Sequence, residues 1–300
     1  MKDLFKFHFL LFLFMTIASS KNVFADIDFD KVKERYDSAL RKDYVLIPYN
    51  GTYLLPFSYN ASPNESPYKT FTELESFKER GSYNRNLETE FQISFLVLGS
   101  KDVFFPKLDF FIGYTQQSWW QIYNDDWSRP FRETNYAPEV FFRKNQIDSD
   151  YKFLGGKVPM FDFGYIHQSN GQLQELSRSW DRIFFRTVID YKSFTLKPII
   201  WFRIPEKNKE NDNPDIQNYL GTGSLKIMKN FHKGKQISLK IIPGYKRAGL
   251  ELDYSSPWTR GYRFYAKISS GTGLSLQDYD HEGNKIGIGF ILNDIITSED

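Results

Sequence analysis

FDFGYIHQSNGQLQELSRSWDRIFFR, residues 161–186, places a histidine, a serine and an acid on the same side of two consecutive extended segments. Side chains alternate faces along a strand, so His167 and Ser169 share a face with Phe161, Phe163 and Tyr165. Asp162, Gly164, Ile166 and Gln168 take the other face. After a polar loop the pattern repeats. Asp181, Ile183, Phe185, Thr187 and Ile189 fall on one side, and Arg182, Arg186 and Asp190 on the other. A base, a nucleophile and an acid thus stand on the greasier side of both strands. That arrangement describes a hydrolase that meets its substrate in a membrane.

The rest of the chain fits a sheet of this kind. Aromatic residues make up 18% and hydrophobic residues 41%, yet the mean hydropathy is −0.50. A helical membrane protein would show apolar runs of about eighteen residues or more, and the chain has none. Its apolar residues alternate with polar ones instead, as a barrel requires when one face meets lipid and the other a polar lumen. The spacing predicts twelve strands, at 46–58, 87–99, 102–117, 134–144, 156–169, 180–191, 193–204, 217–229, 236–246, 248–256, 261–272 and 284–295. The fold class expected is therefore a twelve-stranded antiparallel transmembrane β-barrel. Tight turns follow the even strands (99–102, 191–193, 231–235, 257–260), and longer loops follow most odd ones (59–86, 118–133, 170–179, 205–216, 273–283). Bacterial barrels keep short turns in the periplasm and long loops outside. The fifth strand then runs upward and delivers His167 and Ser169 to the extracellular leaflet.

The amino terminus points to export. Lysines lie within Met1–Lys6, Phe9–Ala18 is apolar apart from Thr16, and Val23-Phe24-Ala25 supplies the cleavage positions. This is a signal-peptide pattern, expected to end after Ala25, with Ser20 the second choice. Residues 26–43 follow as a polar periplasmic segment, a plug or tether, and 44–300 form the barrel domain. Loss of residues 1–25 turns 39 basic and 37 acidic residues into 36 of each. A chain of zero formal charge argues against nucleic acid as a partner. Cysteine is absent, which excludes disulfides, thiol nucleophiles and thiolate zinc sites.

Only three histidines lie beyond residue 25, and His232 and His281 fall in turns without a nearby strand-borne serine. His167 differs. A serine hydroxyl needs a neighbouring base, and the base needs a third group to orient it. Ser169, His167 and Asp181 supply nucleophile, proton acceptor and orienting acid. The Asn170-Gly171-Gln172 turn follows the nucleophile, so the Gly171 backbone N–H is the candidate oxyanion donor. Trp119, Trp120 and Trp127 are expected in an aromatic girdle at the membrane interface. A competing reading is an inactive or channel-forming barrel, with Arg182, Arg186, Lys197 and Arg203 lining a pore.

The segments HQSNG (167–171) and SRSWDR (177–182) resemble the signature of bacterial outer-membrane phospholipase A. YTQQSWWQ (114–121), PFRETNYAPE (130–139), DNPDIQNYLG (212–221) and IGIGFILNDI (286–295) are similar to that family too, in its order. The likeness runs from Leu46 to Ile295. It implies calcium-dependent hydrolysis of membrane phospholipids at either glycerol position, and of lysophospholipids, through an acyl-enzyme. It also implies an outer-membrane enzyme, active as a homodimer and resting as a monomer. By position it assigns calcium to the Gln172 backbone carbonyl and the Ser177 hydroxyl, with Ser128 contributed by a partner subunit. Gln116 resembles the family's lipid-facing polar residue at the dimer seam. The chain departs from the family in carrying Asp181 where asparagine is common and Gln172 where arginine is common. The tail Thr297–Asp300 follows where barrel proteins commonly end on an aromatic.

Overall fold

The computed structural model describes residues 2–19, 29–41, 46–146, 151–191, 193–207, 211–259 and 261–292. Its strands are β1 (Ile47–Pro48), β2 (Tyr53–Asn60), β3 (Leu87–Ser100), β4 (Leu108–Trp120), β5 (Phe131–Asn145), β6 (Lys152–Phe153), β7 (Gly156–Ser169), β8 (Ser179–Tyr191), β9 (Phe194–Arg203), β10 (Gly223–Phe231), β11 (Lys235–Pro243), β12 (Ala248–Thr259), β13 (Tyr262–Gly271) and β14 (Gly283–Leu292). β1 and β6 are two-residue bridges on the edges of their neighbours. The other twelve pair antiparallel in sequence order, and β14 returns to pair with β2. The sheet is a closed twelve-stranded barrel, as the alternation predicts, and closure leaves no long edge unpaired.

Several strand limits differ from the sequence-based ones, each for a local reason. The third stave starts at Leu108 rather than 102, because Asp102, Phe104 and Lys107 take positive φ values and fold the chain into a turn. Residues Gln217–Leu220 form a helical turn that ends at Gly221 (φ 62°), so that stave starts at Gly223. The first stave is broken at Gly51 (φ 88°), which separates β1 from β2. The last stave ends at Leu292, and the tail from 293 lies outside the described residues.

Alternation sorts the side chains as a membrane barrel needs. Phe163, Phe185, Ile200 and Phe202 are exposed on the outside. The inside is filled with paired charge. Arg143 grips Asp162 through two bonds of 2.7 and 2.8 Å, and Arg186 reaches the same carboxylate at 2.9 Å and Glu139 at 3.3 Å. Lys267 bridges Glu90 (2.8 Å) and Glu251 (3.2 Å). Charges removed from water are tolerated only when paired in this way. Of the cations a pore would use, Arg182 lies 3.8 Å over the Trp180 ring, Arg186 is engaged as above, and Arg203 bonds the Asn213 carbonyl and Asn211. The lumen retains a cavity of about 390 Å³, and a smaller one of about 70 Å³ lies beside Tyr36, Arg143 and Asp162.

Two helices precede the barrel. α1 (Lys2–Ser19) lays Leu10, Phe14 and Ala18 on the outward residues Ile237, Leu239, Leu250 and Leu252 of β11 and β12. Among the described residues no helix is long and apolar enough to cross a membrane. The expected cleavage site falls outside the described residues. α2 (Phe29–Leu40) buries Tyr36 in the cluster of Ile47, Leu96, Phe111 and Phe141.

The tryptophans are not a girdle. Trp119 points inward, fully buried, with Arg132 and Lys285 over its ring. Trp127 is enclosed by Phe71, Phe77 and Tyr83 in a loop cluster. Of these three, Trp120 alone faces outward, stacked on Phe131. Parity along β4 separates Trp119 from Trp120, and the 59–86 loop folds back to cover Trp127.

Candidate active site

β7 and β8 are joined so that His167 stands opposite Asp181 and Ser169 opposite Ser179. The inner face pins this register. The Gln168 side-chain oxygen Oε1 accepts from Trp180 Nε1 (3.0 Å) and from the Arg182 guanidinium (2.7 Å), both on β8. Gly164 is needed behind the site, because a Cβ there would lie 2.2 Å from the Val140 carbonyl oxygen of β5. The strand pair therefore carries its polar groups inward where they are paired, and turns His167, Ser169 and Asp181 outward.

On the outward face His167 Nδ1 lies 2.8 Å from Asp181 Oδ1. The two side chains are about one-third exposed, at 37% and 30%. An ionised carboxylate only accepts, so Nδ1–H is the donor of this bond, and in a neutral ring Nε2 is the acceptor. Ser169 shares the face two residues on; it is not hydrogen-bonded to the imidazole in this structure. Such contacts are often long before substrate binds. The structure adds a residue to which the sequence reading gave no role: Tyr165 Oη donates to the same Asp181 Oδ1 at 2.5 Å. Its place on the outward face two residues before His167 was the available signal.

The turn after the nucleophile is held by Asn170, which is 2% exposed. Its side-chain oxygen accepts from the amides of Gln172 (3.2 Å) and Arg178 (3.0 Å), and its amino group donates to the Leu176 carbonyl (2.7 Å). Gly171 has φ +63°, and a Cβ there would lie 3.2 Å from the Tyr136 ring. With the Gln172 amide taken by Asn170, the Gly171 N–H makes no hydrogen bond among the described residues.

The expected calcium ligands lie beside this turn. Ser177 Oγ donates to Asp212 Oδ2 at 2.5 Å, which brings in a carboxylate that the 170–179 loop itself lacks at that point. The 212 segment is tied down by Asn213, whose side chain accepts from the Ser179 amide at 3.1 Å. Gln172 is exposed, and Ser128 sits in a left-handed conformation (φ 59°) at the tip of the neighbouring loop. Among the described residues there is no cluster of three or more His, Asp or Glu suited to a metal. The oxygens present are a hydroxyl, a carboxylate and main-chain carbonyls, a donor set that suits a hard cation. Gln116 faces outward on β4, as expected of a seam residue. It already has partners within the chain: it accepts from Tyr114 Oη (2.9 Å) and donates to Ser118 Oγ (3.2 Å), which meets Thr134 Oγ1 at 3.1 Å.

A sequence model described as "Phospholipase A1" matches residues 29–292. The chain belongs to the phospholipase A1 family. Among relatives, it is 36% identical over 251 residues to a putative phospholipase A1 of Neisseria meningitidis serogroup B; the match covers 82% of this chain and 65% of that protein, just under two thirds of its length. It is 32% identical over 257 residues to phospholipase A1 of Escherichia coli K12, covering 84% of this chain and 83% of the relative. The barrel superposes on outer membrane phospholipase A from Escherichia coli with a TM-score of 0.77 at 30% identity, over 86% of this chain and 97% of that one. It also superposes on the Salmonella typhi outer membrane phospholipase, solved as a dimer with bound calcium, with a TM-score of 0.76 at 30% identity over 91% and 99% of the two chains. The fold is that of an outer-membrane phospholipase barrel.

Proposed function

We propose that this phospholipase A1 family member hydrolyses acyl esters of phospholipids, at sn-1 and sn-2, and of lysophospholipids, by a serine acyl-enzyme route. The observation that carries the proposal is the His167–Asp181 hydrogen bond of 2.8 Å on the outward face that also bears Ser169. His167 Nε2 takes the Ser169 proton as Oγ attacks the ester carbonyl. The resulting oxyanion meets the Gly171 N–H. Collapse breaks the ester C–O bond, and His167 returns its proton to the departing alcohol. Water then attacks the acyl-serine by the same proton route and frees the fatty acid. The outward aromatic and aliphatic residues Phe163, Phe185 and Ile183 below the site give the acyl chain an apolar surface to lie on.

Calcium fits the oxygens beside the turn, with the Gln172 carbonyl, the Ser177 hydroxyl and Ser128 of the partner subunit as ligands and Asp212 adjoining Ser177. When bound, the ion would add positive charge near the developing oxyanion. Support for calcium and for an active dimer comes from the Salmonella typhi relative, solved in that state. We place the site at the extracellular leaflet, and we take residues 1–25 as a removable signal peptide, 26–43 as a periplasmic segment and 44–300 as the barrel domain. The resting form is then the monomer. The test is fatty-acid release from phospholipid–detergent micelles with and without calcium chelation. Release that ceases on chelation and returns with added calcium is expected; no release under either condition overturns the proposal.

A further inference from the structure

Resting on the Ser169–His167–Asp181 reading, we infer that Tyr165 is a positioning residue of the same site: its phenol fixes the Asp181 carboxylate and thereby the tautomer and aim of His167. Tyr165 precedes His167 by two residues on β7, so the two side chains share the outward face. In the register Tyr165 faces Ile183 and His167 faces Asp181, which makes Tyr165 and Asp181 diagonal neighbours. A diagonal is within reach of an aromatic side chain. Tyr165 spans it and places its O–H at 2.5 Å on the oxygen that meets His167 Nδ1 at 2.8 Å.

One oxygen with two donors has a chemical consequence. The terminal torsion of an aspartate is broad, so a single hydrogen bond leaves the carboxylate free to pivot. The second donor sets its plane. Hydrogen bonds to an ionised acceptor are short and strong. With Oδ1 held, the ring proton stays on Nδ1 and Nε2 remains the acceptor for Ser169. The same geometry bears on an asparagine placed at this position. Only one oxygen is used, and the Tyr165 hydroxyl on that oxygen favours the amide orientation that offers oxygen, not nitrogen, to Nδ1–H.

The experiment compares Tyr165→Phe, Asp181→Ala, Asp181→Asn and the doubles made with Tyr165→Phe, in the full chain with calcium present. Readouts are kcat and KM on a micellar ester, the rate of serine modification by a sulfonyl fluoride, and heat-modified gel mobility as the check on folding. Tyr165→Phe should lower kcat about tenfold and slow serine modification to match, with KM within about twofold. It should cost nothing further once Asp181 is alanine, and should cost more in the Asp181→Asn background than in the wild type. Unchanged kcat, a change confined to KM, or a full additional loss in the Asp181→Ala background overturns the positioning role. Ser169→Ala, run alongside, separates the two ideas. If it is inactive while Tyr165→Phe behaves as wild type, only the role of Tyr165 is wrong. If it stays active, the site reading fails and the role of Tyr165 falls with it.

Discussion

His167 and Asp181 are directly paired residues of adjacent antiparallel strands, and their side chains meet at 2.8 Å on the lipid-facing side of the barrel. Cross-strand partners in a sheet keep a fixed separation, so the acid and base are held by the backbone ladder itself and not by a mobile loop.

Removing the Ser169 hydroxyl tests the nucleophile. Ser169→Ala should fold into a normal heat-modifiable barrel, since the side chain is outward and packs against no core group. Fatty-acid release should drop to background. A variant that folds and still turns over would assign the nucleophile elsewhere.

Asp181 is where this chain departs from the pattern it resembles. Asp181→Asn keeps an oxygen able to accept from both Nδ1–H and Tyr165, so activity within about tenfold of wild type is expected. Asp181→Ala leaves the ring without an orienting partner and should cost about 10²–10³ in kcat. Initial rates on micellar substrate decide this. Equal activity in the alanine variant and the wild type would remove Asp181 from the site.

The calcium reading predicts a graded response. Ser177→Ala and Asp212→Asn should each raise the calcium concentration for half-maximal activity about tenfold, since the site has few protein oxygens. Ser128→Ala should raise it only in crosslinked dimers. Calcium titrations on monomer and dimer fractions give the answer, and equal shifts in both would rule out a ligand shared between subunits.

Within the lumen, Asp162 is the shared acceptor of Arg143 and Arg186. Asp162→Ala takes the carboxylate from the buried Arg143 and leaves Arg186 with Glu139 alone, and should destabilise the barrel by about 3–5 kcal/mol. Urea titration in lipid vesicles, followed by the mobility shift of the folded form, measures the loss. A midpoint equal to wild type would mean that water or another acid replaces Asp162.

Much of this architecture was legible in the chain because strand alternation is a simple code. The parity of residues 161–169 and 181–189 alone puts His167, Ser169 and Asp181 on one outward face, and the register pairs His167 with Asp181. What alternation does not encode stayed hidden. The turn at 102–107 depends on left-handed residues that are not glycine, and the helical turn at Gln217–Leu220 sits inside an otherwise strand-like stretch. Adjacent residues of a strand face opposite ways, so Trp119 points into the lumen and Trp120 outward, and the pair is not a girdle. The contacts Tyr165–Asp181 and Ser177–Asp212 join side chains 16 and 35 residues apart, and neither residue type announces a partner at that distance.

Gly164 has a bearing on quality control in the membrane. It permits β5 and β7 to approach only in the observed alignment, since any side chain there would strike the Val140 carbonyl. A slip of one residue in β7 would turn His167 and Ser169 into the charged lumen and send Gln168 out to the lipid. On the Ser169–His167–Asp181 proposal, hydrolysis would then report that this strand has assembled in register, and a slipped copy would be silent.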